Sequence, residues 1–224
     1  MLVLGIDDAG RGPLIGPMFL AGVLLKKKDE EYLKHEGVAD SKILSHPKRV
    51  QLSGVIKDIA LKYKIVKAEP LDIDHAIKTR INLNTLEAIK AAEIINELSV
   101  GVKERIIVIV DCPSVNIKAW KATLFHYLRN FENIELHCEH KADANHPSVS
   151  AASIIAKVAR EEAVEKIKDK YGDTGSGYPS DPITILFLKK YGQKYKNENL
   201  FRKTWKTWKN LYPEKDQKTL NYFH

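Results

Sequence analysis

Apolar residues recur along the chain in three rhythms, and each predicts a different kind of element. Short unbroken runs at 2–6 and 14–25 predict buried strands, joined through the turn-forming Gly10-Arg11-Gly12-Pro13. Alternation over 61–69 (Leu61-Lys62-Tyr63-Lys64-Ile65-Val66-Lys67) predicts a half-exposed strand. The β-branched run Arg105-Ile106-Ile107-Val108-Ile109-Val110 predicts a strand covered on both faces, and another is expected at 133–138. Leu83, Leu86, Ile89, Ile94 and Leu98 fall at helical spacing and predict a core-facing helix over 82–99. Further helices are expected at 29–36, 46–60 and 116–129. A long helix over 147–171 opens on small residues, Ser148, Ser150, Ala151, Ala152 and Ser153, which let a helix approach a sheet closely or leave room for a ligand.

Ser180-Asp181-Pro182 is a helix start, with a capping side chain and Pro at the first helical position. That helix is expected to run to about 195, and a last one to begin near Thr204. Three early strands followed by strand–helix–strand–helix predict an α/β fold: a mixed five-stranded sheet flanked by helices, with antiparallel hairpins and a parallel crossover. The expected division is a core over 1–171 and a helical appendage over 172–224. No internal repeat or linker splits the chain.

Composition narrows the class. With 224 residues, 44% hydrophobic and 29% charged, the chain can bury a core and is not a disordered one. No apolar run approaches the ~18 residues a membrane span needs. Only Cys112 and Cys138 are present and no leader is seen at Met1-Leu2-Val3-Leu4, so a reducing cytoplasm is expected. Charge is distributed unevenly. Residues 182–224 hold 10 Lys/Arg against 3 Asp/Glu, which accounts for the whole net charge of +7. The same stretch carries Phe187, Tyr191, Tyr195, Phe201, Trp205, Trp208 and Tyr212. Basic residues among aromatics suit a surface for a polyanion, or a lysine-rimmed segment whose aromatics pack inward.

Candidate chemistry lies in the carboxylates. Asp7 and Asp8 end the first strand and Asp111 ends the strand at 105–110. If those strands are parallel neighbours, their carboxyl ends meet at the edge where open α/β sheets bind ligands. Asp143 precedes the small-residue helix and can reach the same edge. Converging carboxylates repel one another unless cations sit between them, and oxygen-only ligation favours Mg2+ or Mn2+ over zinc. Two such ions about 4 Å apart can activate water and stabilise the leaving oxygen of a phosphodiester. Singly, each Asp could instead be capping a turn. A Gly10-Arg11-Gly12 turn nearby offers bare backbone to a ligand and one guanidinium to phosphate.

Gly5-Ile6-Asp7-Asp8-Ala9-Gly10-Arg11-Gly12 resembles the opening signature of type 2 ribonucleases H, the ribonuclease HII family, most of all its archaeal forms. Asp40-Ser41-Lys42, Asp111, His140-Lys141-Ala142-Asp143-Ala144 and the Ser150–Lys157 run match in order, followed by Gly175-Ser176-Gly177-Tyr178-Pro179-Ser180-Asp181 and Arg202-Lys203-Thr204-Trp205-Lys206. The resemblance implies a ribonuclease H-like sheet and an endonuclease that cuts the RNA strand of RNA–DNA hybrids. It also implies cutting 5′ of single ribonucleotides in duplex DNA, leaving 3′-hydroxyl and 5′-phosphate ends. On this chain, Asp7, Asp8, Asp111 and Asp143 would be the carboxylates of a two-ion Mg2+ or Mn2+ site. The Gly10-Arg11-Gly12 backbone would sense the ribose 2′-hydroxyl, Tyr178 would stack on the following deoxyribose, and Lys42 and Ser150 would contact phosphate. A monomer is implied; the sequence is silent on whether a replication clamp is engaged as a partner, and no clear short clamp-binding motif stands out at the C-terminus.

In one place the chain departs from the family, which has Asp-Glu where this sequence has Asp7-Asp8. One methylene fewer draws the carboxylate back by about 1–1.5 Å, against a tolerance of about 0.2 Å for metal ligands. Weakened metal binding or a shift towards Mn2+ is therefore expected. Rival readings are a zinc site at His137-Cys138-Glu139-His140, an actin-like ATPase and a non-catalytic hybrid-binding protein. The zinc spacing is loose, the ATPase needs a second similar domain, and all four carboxylates remain.

Overall fold

The structure is a computed structural model that describes residues 1–38 and 44–213. Chain order is β1 (Leu2–Ala9), β2 (Met18–Lys26), α1 (Asp29–His35), α2 (His46–Ile59), β3 (Lys62–Ala68), α3 (Pro70–Lys78), α4 (Leu83–Leu98) and β4 (Ile106–Asp111). There follow α5 (Ile117–His126), β5 (Ile134–Glu139), α6 (Ala142–Asn145), α7 (Pro147–Tyr171), α8 (Pro182–Tyr191) and α9 (Lys206–Leu211). The five strands form one sheet in the order β3-β2-β1-β4-β5. β1, β2 and β3 pair antiparallel, whereas β4 joins β1 in parallel and β5 joins β4 in parallel. This is the mixed sheet that the order of elements predicts.

The alternation of strand side chains gives the sheet two cores. Leu2, Leu4 and Ile6 of β1 pack with α4 and α5, while Val3 and Ile109 pack with α7 and α2. Gly5 lies on the α7 side, where the backbone of Ser148 and Val149 comes so close that a Cβ at position 5 would sit well under 3.0 Å from it. The small residues opening α7 are what allow this approach. Ser148, Ser150, Ala151, Ala152 and Ser153 are all buried.

A third core explains the C-terminal aromatics. Phe187, Phe201 and Trp208 are buried with Leu14, Ile15, Leu188 and Leu200, and Tyr191, Tyr195 and Tyr212 pack against them. Lysines rim this cluster, with Lys190 and Lys194 over the Tyr191 and Tyr195 rings. The aromatics thus point inward.

Differences from expectation are local. Residues 14–17 are not strand: Leu14 N–H donates to the Gly177 carbonyl, and Ile15 bridges Phe201. The helix begun at Pro182 stops at Tyr191 rather than 195, and α5 ends three residues before 129. Sequence reading missed α3, which starts on a capping box between Glu69 and Asp72 with Pro at its first position. No helix among the described residues is long and apolar enough to cross a membrane.

Candidate active site at the carboxyl edge of the sheet

Ile6 of β1 stands opposite Val110 of β4 as the last pair between these two strands, so the next residues, Asp7 and Asp111, stand side by side where β1 and β4 part. Asp7 is on the α7 face and buried, with the Asp8 N–H (2.7 Å) and the Ser153 hydroxyl bonded to its carboxylate. Asp8, one residue on, turns to the α4 face beside Glu87. Asp111 accepts from the Ala142 N–H at 3.0 Å, which draws α6 and its buried Asp143 to the same edge. Ser150, also buried, lines a neighbouring cleft together with Asp143, Asn145 and His146. Lys42 lies outside the described residues.

Electrostatics at this edge favour protons or cations. Burial first, then the charges of Asp8 and Asp111, hold Asp7 well above the usual carboxylate range. Asp8 is raised to about 6 by burial, with Arg11 opposing and Asp111 adding to the rise. Glu87, which sequence reading did not single out, is raised to about 8 by burial and then by Asp8. Among the described residues its two oxygens have no hydrogen-bond partner, and it forms an ion pair with Arg11 at 3.4 Å. The signal that could have found it is an acid inside the apolar stripe of the 82–99 helix, where Glu is almost never buried without a role.

These shifts have a consequence for the metal-free protein. Each folded-state pKa exceeds its unfolded value, so stability is fully present below that value and is lost as pH rises through the folded one. For Asp8 the window runs from 3.8 to about 6, and for Glu87 from 4.5 to about 8. The melting temperature in EDTA is expected to fall between pH 5 and pH 8, and Mg2+ or Mn2+ to restore more of it at pH 8 than at pH 5. Scanning fluorimetry over that range checks it; a flat or rising EDTA curve would contradict the electrostatic reading.

The donor set fits a hard divalent cation. Asp7, Asp8, Asp111 and Asp143 offer only oxygen, and the first three are mutually repelling. Among the described residues, however, no three such side chains already close round one point as a finished cage. The residues of the zinc reading are engaged elsewhere. His137 pairs with Glu135, the His140 ring bonds the Cys112 carbonyl and His146 pairs with Glu139.

Beside the carboxylates, Gly10, Arg11 and Gly12 line a cleft of about 420 Å3 with Asp8, Arg49, Lys157, Arg160, Glu161 and Tyr178, where Arg49 is ion-paired with Glu161. Gly10 has φ +86°, and a Cβ at Gly12 would meet the Tyr178 ring at 3.2 Å, so glycine suits both positions. Tyr178 is 38% exposed, with the Arg160 guanidinium 5.2 Å above its ring. The structure thus brings the Gly-Arg-Gly turn and Tyr178 together, and adds three cations that sequence reading gave no role. Arg11 is itself tied inward, donating to Asn84 and to the Pro113 carbonyl.

Known proteins agree with this architecture. The family model described as Ribonuclease HII matches residues 4–208. A ribonuclease HII of Pyrococcus furiosus is 42% identical, over 100% of this chain and 98% of its own. The crystal structure of the ribonuclease H2 from Pyrococcus horikoshii superposes with a TM-score of 0.84 at 38% identity, covering 94% of this chain and 97% of that one. The ribonuclease HII in a PCNA complex from Archaeoglobus fulgidus gives 0.79 at 36% identity, covering 95% and 98%. Sheet order, the carboxylate edge and matches along nearly the whole length therefore converge: the chain belongs to the ribonuclease HII family and is a type 2 ribonuclease H, an endoribonuclease of RNA–DNA hybrids.

Proposed function

We propose that this enzyme also cuts duplex DNA on the 5′ side of single embedded ribonucleotides, leaving 3′-hydroxyl and 5′-phosphate ends. Asp7, Asp8, Asp111 and Asp143 would hold two Mg2+ or Mn2+ ions. The observation that carries this reading is the meeting of Asp7, Asp8 and Asp111 beside the cleft of Gly10, Gly12 and Tyr178. When bound, the ions would supply an activated water and neutralise charge at the departing 3′ oxygen. The chain's own residues do the rest. The carboxylates hold charge without shuttling protons, and Ser153 and the Asp8 N–H fix the orientation of Asp7. Backbone of Gly10-Arg11-Gly12 meets the ribose 2′-hydroxyl, and Tyr178 packs on the next sugar, where a 2′-hydroxyl would crowd the ring. Arg49, Lys157 and Arg160, with Ser150 and Lys42, draw in phosphates. By likeness to the Archaeoglobus fulgidus relative, a PCNA-type clamp is the protein partner to test, by co-elution.

The test is cleavage of an end-labelled DNA duplex containing one ribonucleotide, with Mg2+ and Mn2+ compared. A cut 5′ of the ribonucleotide in either metal is expected. Tight binding without a cut would favour the non-catalytic reading. Asp8→Glu is expected to lower the Mg2+ needed for half-maximal rate by about tenfold and to narrow the preference for Mn2+. An unchanged rate and metal preference would mean that the shorter Asp8 is already accommodated.

A further inference from the structure

Arg202 is the largest side chain that solvent does not reach, at 0% exposure. Among the described residues it forms no ion pair with a carboxylate, although the charges of Asp74 and Asp8 favour its charged form. Instead the guanidinium donates to three backbone carbonyls, those of Gly10 (2.6 Å), Arg11 (2.7 Å) and Gly16 (3.0 Å). Its own N–H donates to the Leu14 carbonyl at 2.9 Å, and the Trp205 indole N–H donates to the Gly12 carbonyl at 3.2 Å. Five carbonyls between residues 10 and 16 are therefore held by two residues nearly 190 positions away. Those two are coupled in turn, since the Arg202 guanidinium lies over the Trp205 ring at 5.1 Å. From the other side, Asp74 of α3 accepts from the Lys203 and Thr204 N–H groups and from the Thr204 hydroxyl.

Peptide planarity turns this into a statement about the ligand side of the loop. In a trans peptide the N–H points opposite to the C=O of the same plane. With the Gly10 and Arg11 carbonyls turned down onto Arg202, the N–H groups of Arg11 and Gly12 face away from it, towards the cleft that residues 10–12 line. Glycine at 10 and 12 makes this stretch of backbone easy to misorient, so something outside the loop must choose its orientation. A planar guanidinium spreads its donors over three nitrogens and so reaches carbonyls spaced along the loop, whereas the three donors of an ammonium diverge from a single nitrogen. Burial and the nearby Arg160 lower the Arg202 pKa only to about 10, so it stays charged in neutral solution.

We propose that Arg202, assisted by Trp205, is a positioning residue that sets the Gly10-Arg11-Gly12 backbone in the orientation that discriminates ribose from deoxyribose. This rests on the reading above that the loop senses the 2′-hydroxyl. It gives the Arg202–Lys206 block a task in specificity besides any contact with the duplex.

The test measures affinity for a duplex with one ribonucleotide and for the same duplex made wholly of DNA, in Ca2+ to keep cleavage silent. The readout is the ratio of the two affinities, because a loss of folded protein scales both equally. Arg202→Lys is expected to lower that ratio by about tenfold, since charge-assisted hydrogen bonds are lost, and Trp205→Phe by about threefold. If Arg202→Lys has no melting transition, Trp205→Phe carries the decision. A wild-type preference for the ribonucleotide that persists unchanged in the folded variants overturns the proposal and leaves the reading of the loop standing. A wild type that binds both duplexes equally removes the reading of the loop, and the proposal with it.

Discussion

Replacing Asp7 or Asp111 with Asn is expected to lower cleavage by about a thousand-fold or more while duplex affinity changes by less than about threefold. The first figure corresponds to losing about 4 kcal/mol of transition-state stabilisation, the scale on which a bound divalent ion acts in phosphoryl chemistry. The second follows from the proposed phosphate contacts, because Arg49, Lys157 and Arg160 stand on α2 and α7 and not on the strands that carry these carboxylates. Asn is close to isosteric, and its carbonyl oxygen can still accept from the Asp8 N–H at position 7 or from the Ala142 N–H at position 111. What goes is charge. Because Asp7 is destabilised by burial and by its neighbours' charges, the metal-free Asp7→Asn protein is expected to melt higher than wild type at pH 8, by about 2–4 °C per kcal/mol of repulsion relieved. An inactive variant that is also more stable would separate a site built for function from one built for stability. Retention of a tenth of the activity, or loss of binding in step with cleavage, would mean that the carboxylates have been given the wrong task.

Much of this arrangement was legible in the residues, because it rests on short-range regularities. The unbroken β-branched run at 106–110 is the mark of a strand covered on both faces, and an Asp at its end can stand at the ligand edge of a parallel sheet. The small residues from Ser148 to Ser153 suit either a close approach of helix to sheet or room for a ligand, and the backbone contact with Gly5 selects the first. What escaped reading depends on contacts between distant segments. Nothing local distinguishes Leu14 and Ile15 from strand residues; it is the pairing with Gly177 and Phe201 that pulls them into the third core. Charge and aromatic content near the C-terminus suggested a nucleic-acid surface or an inward-facing cluster, and burial of Phe201 and Trp208 selects the second for those rings. The block from Arg202 to Lys206 was recognisable by resemblance, but only the fold places its guanidinium beneath Gly10 and Arg11. Glu87 lies on an apolar stripe whose spacing speaks only for packing, and its place at the site depends on the contact with Asp8 that the fold makes.

Gly5→Ala is expected to be the most destabilising single methyl addition in the sheet, at about 4 kcal/mol, most of the stability of a domain at the low end of the ordinary range of about 5–15 kcal/mol. The added Cβ would meet the Ser148 carbonyl group and the Val149 nitrogen, which are backbone atoms of α7 and cannot rotate aside. Relief requires moving α7 away from β1, against the buried contacts of Val149, Ala152 and Ala156. Two other glycines calibrate the claim. Gly22 of β2 faces the other core, where a Cβ would sit well under 3.0 Å from the Ile94 Cγ2 methyl and 3.2 Å from the end of the Leu98 side chain; these are side-chain atoms that can give by small shifts, so about 2 kcal/mol is expected. Gly54 within α2 has nothing within 4 Å, and Ala there is expected to stabilise by about 0.5–1 kcal/mol through helix propensity alone. Urea denaturation of the three variants should rank Gly54→Ala above wild type, then Gly22→Ala, then Gly5→Ala. Any folded fraction of Gly5→Ala should also be defective in cleavage, because displacing α7 carries Ser153 away from Asp7 and shifts the neighbouring Asp143. A Gly5→Ala protein that melts and cuts like wild type would show that α7 is seated less tightly than these atoms place it, and would remove the reason for the small residues that open that helix.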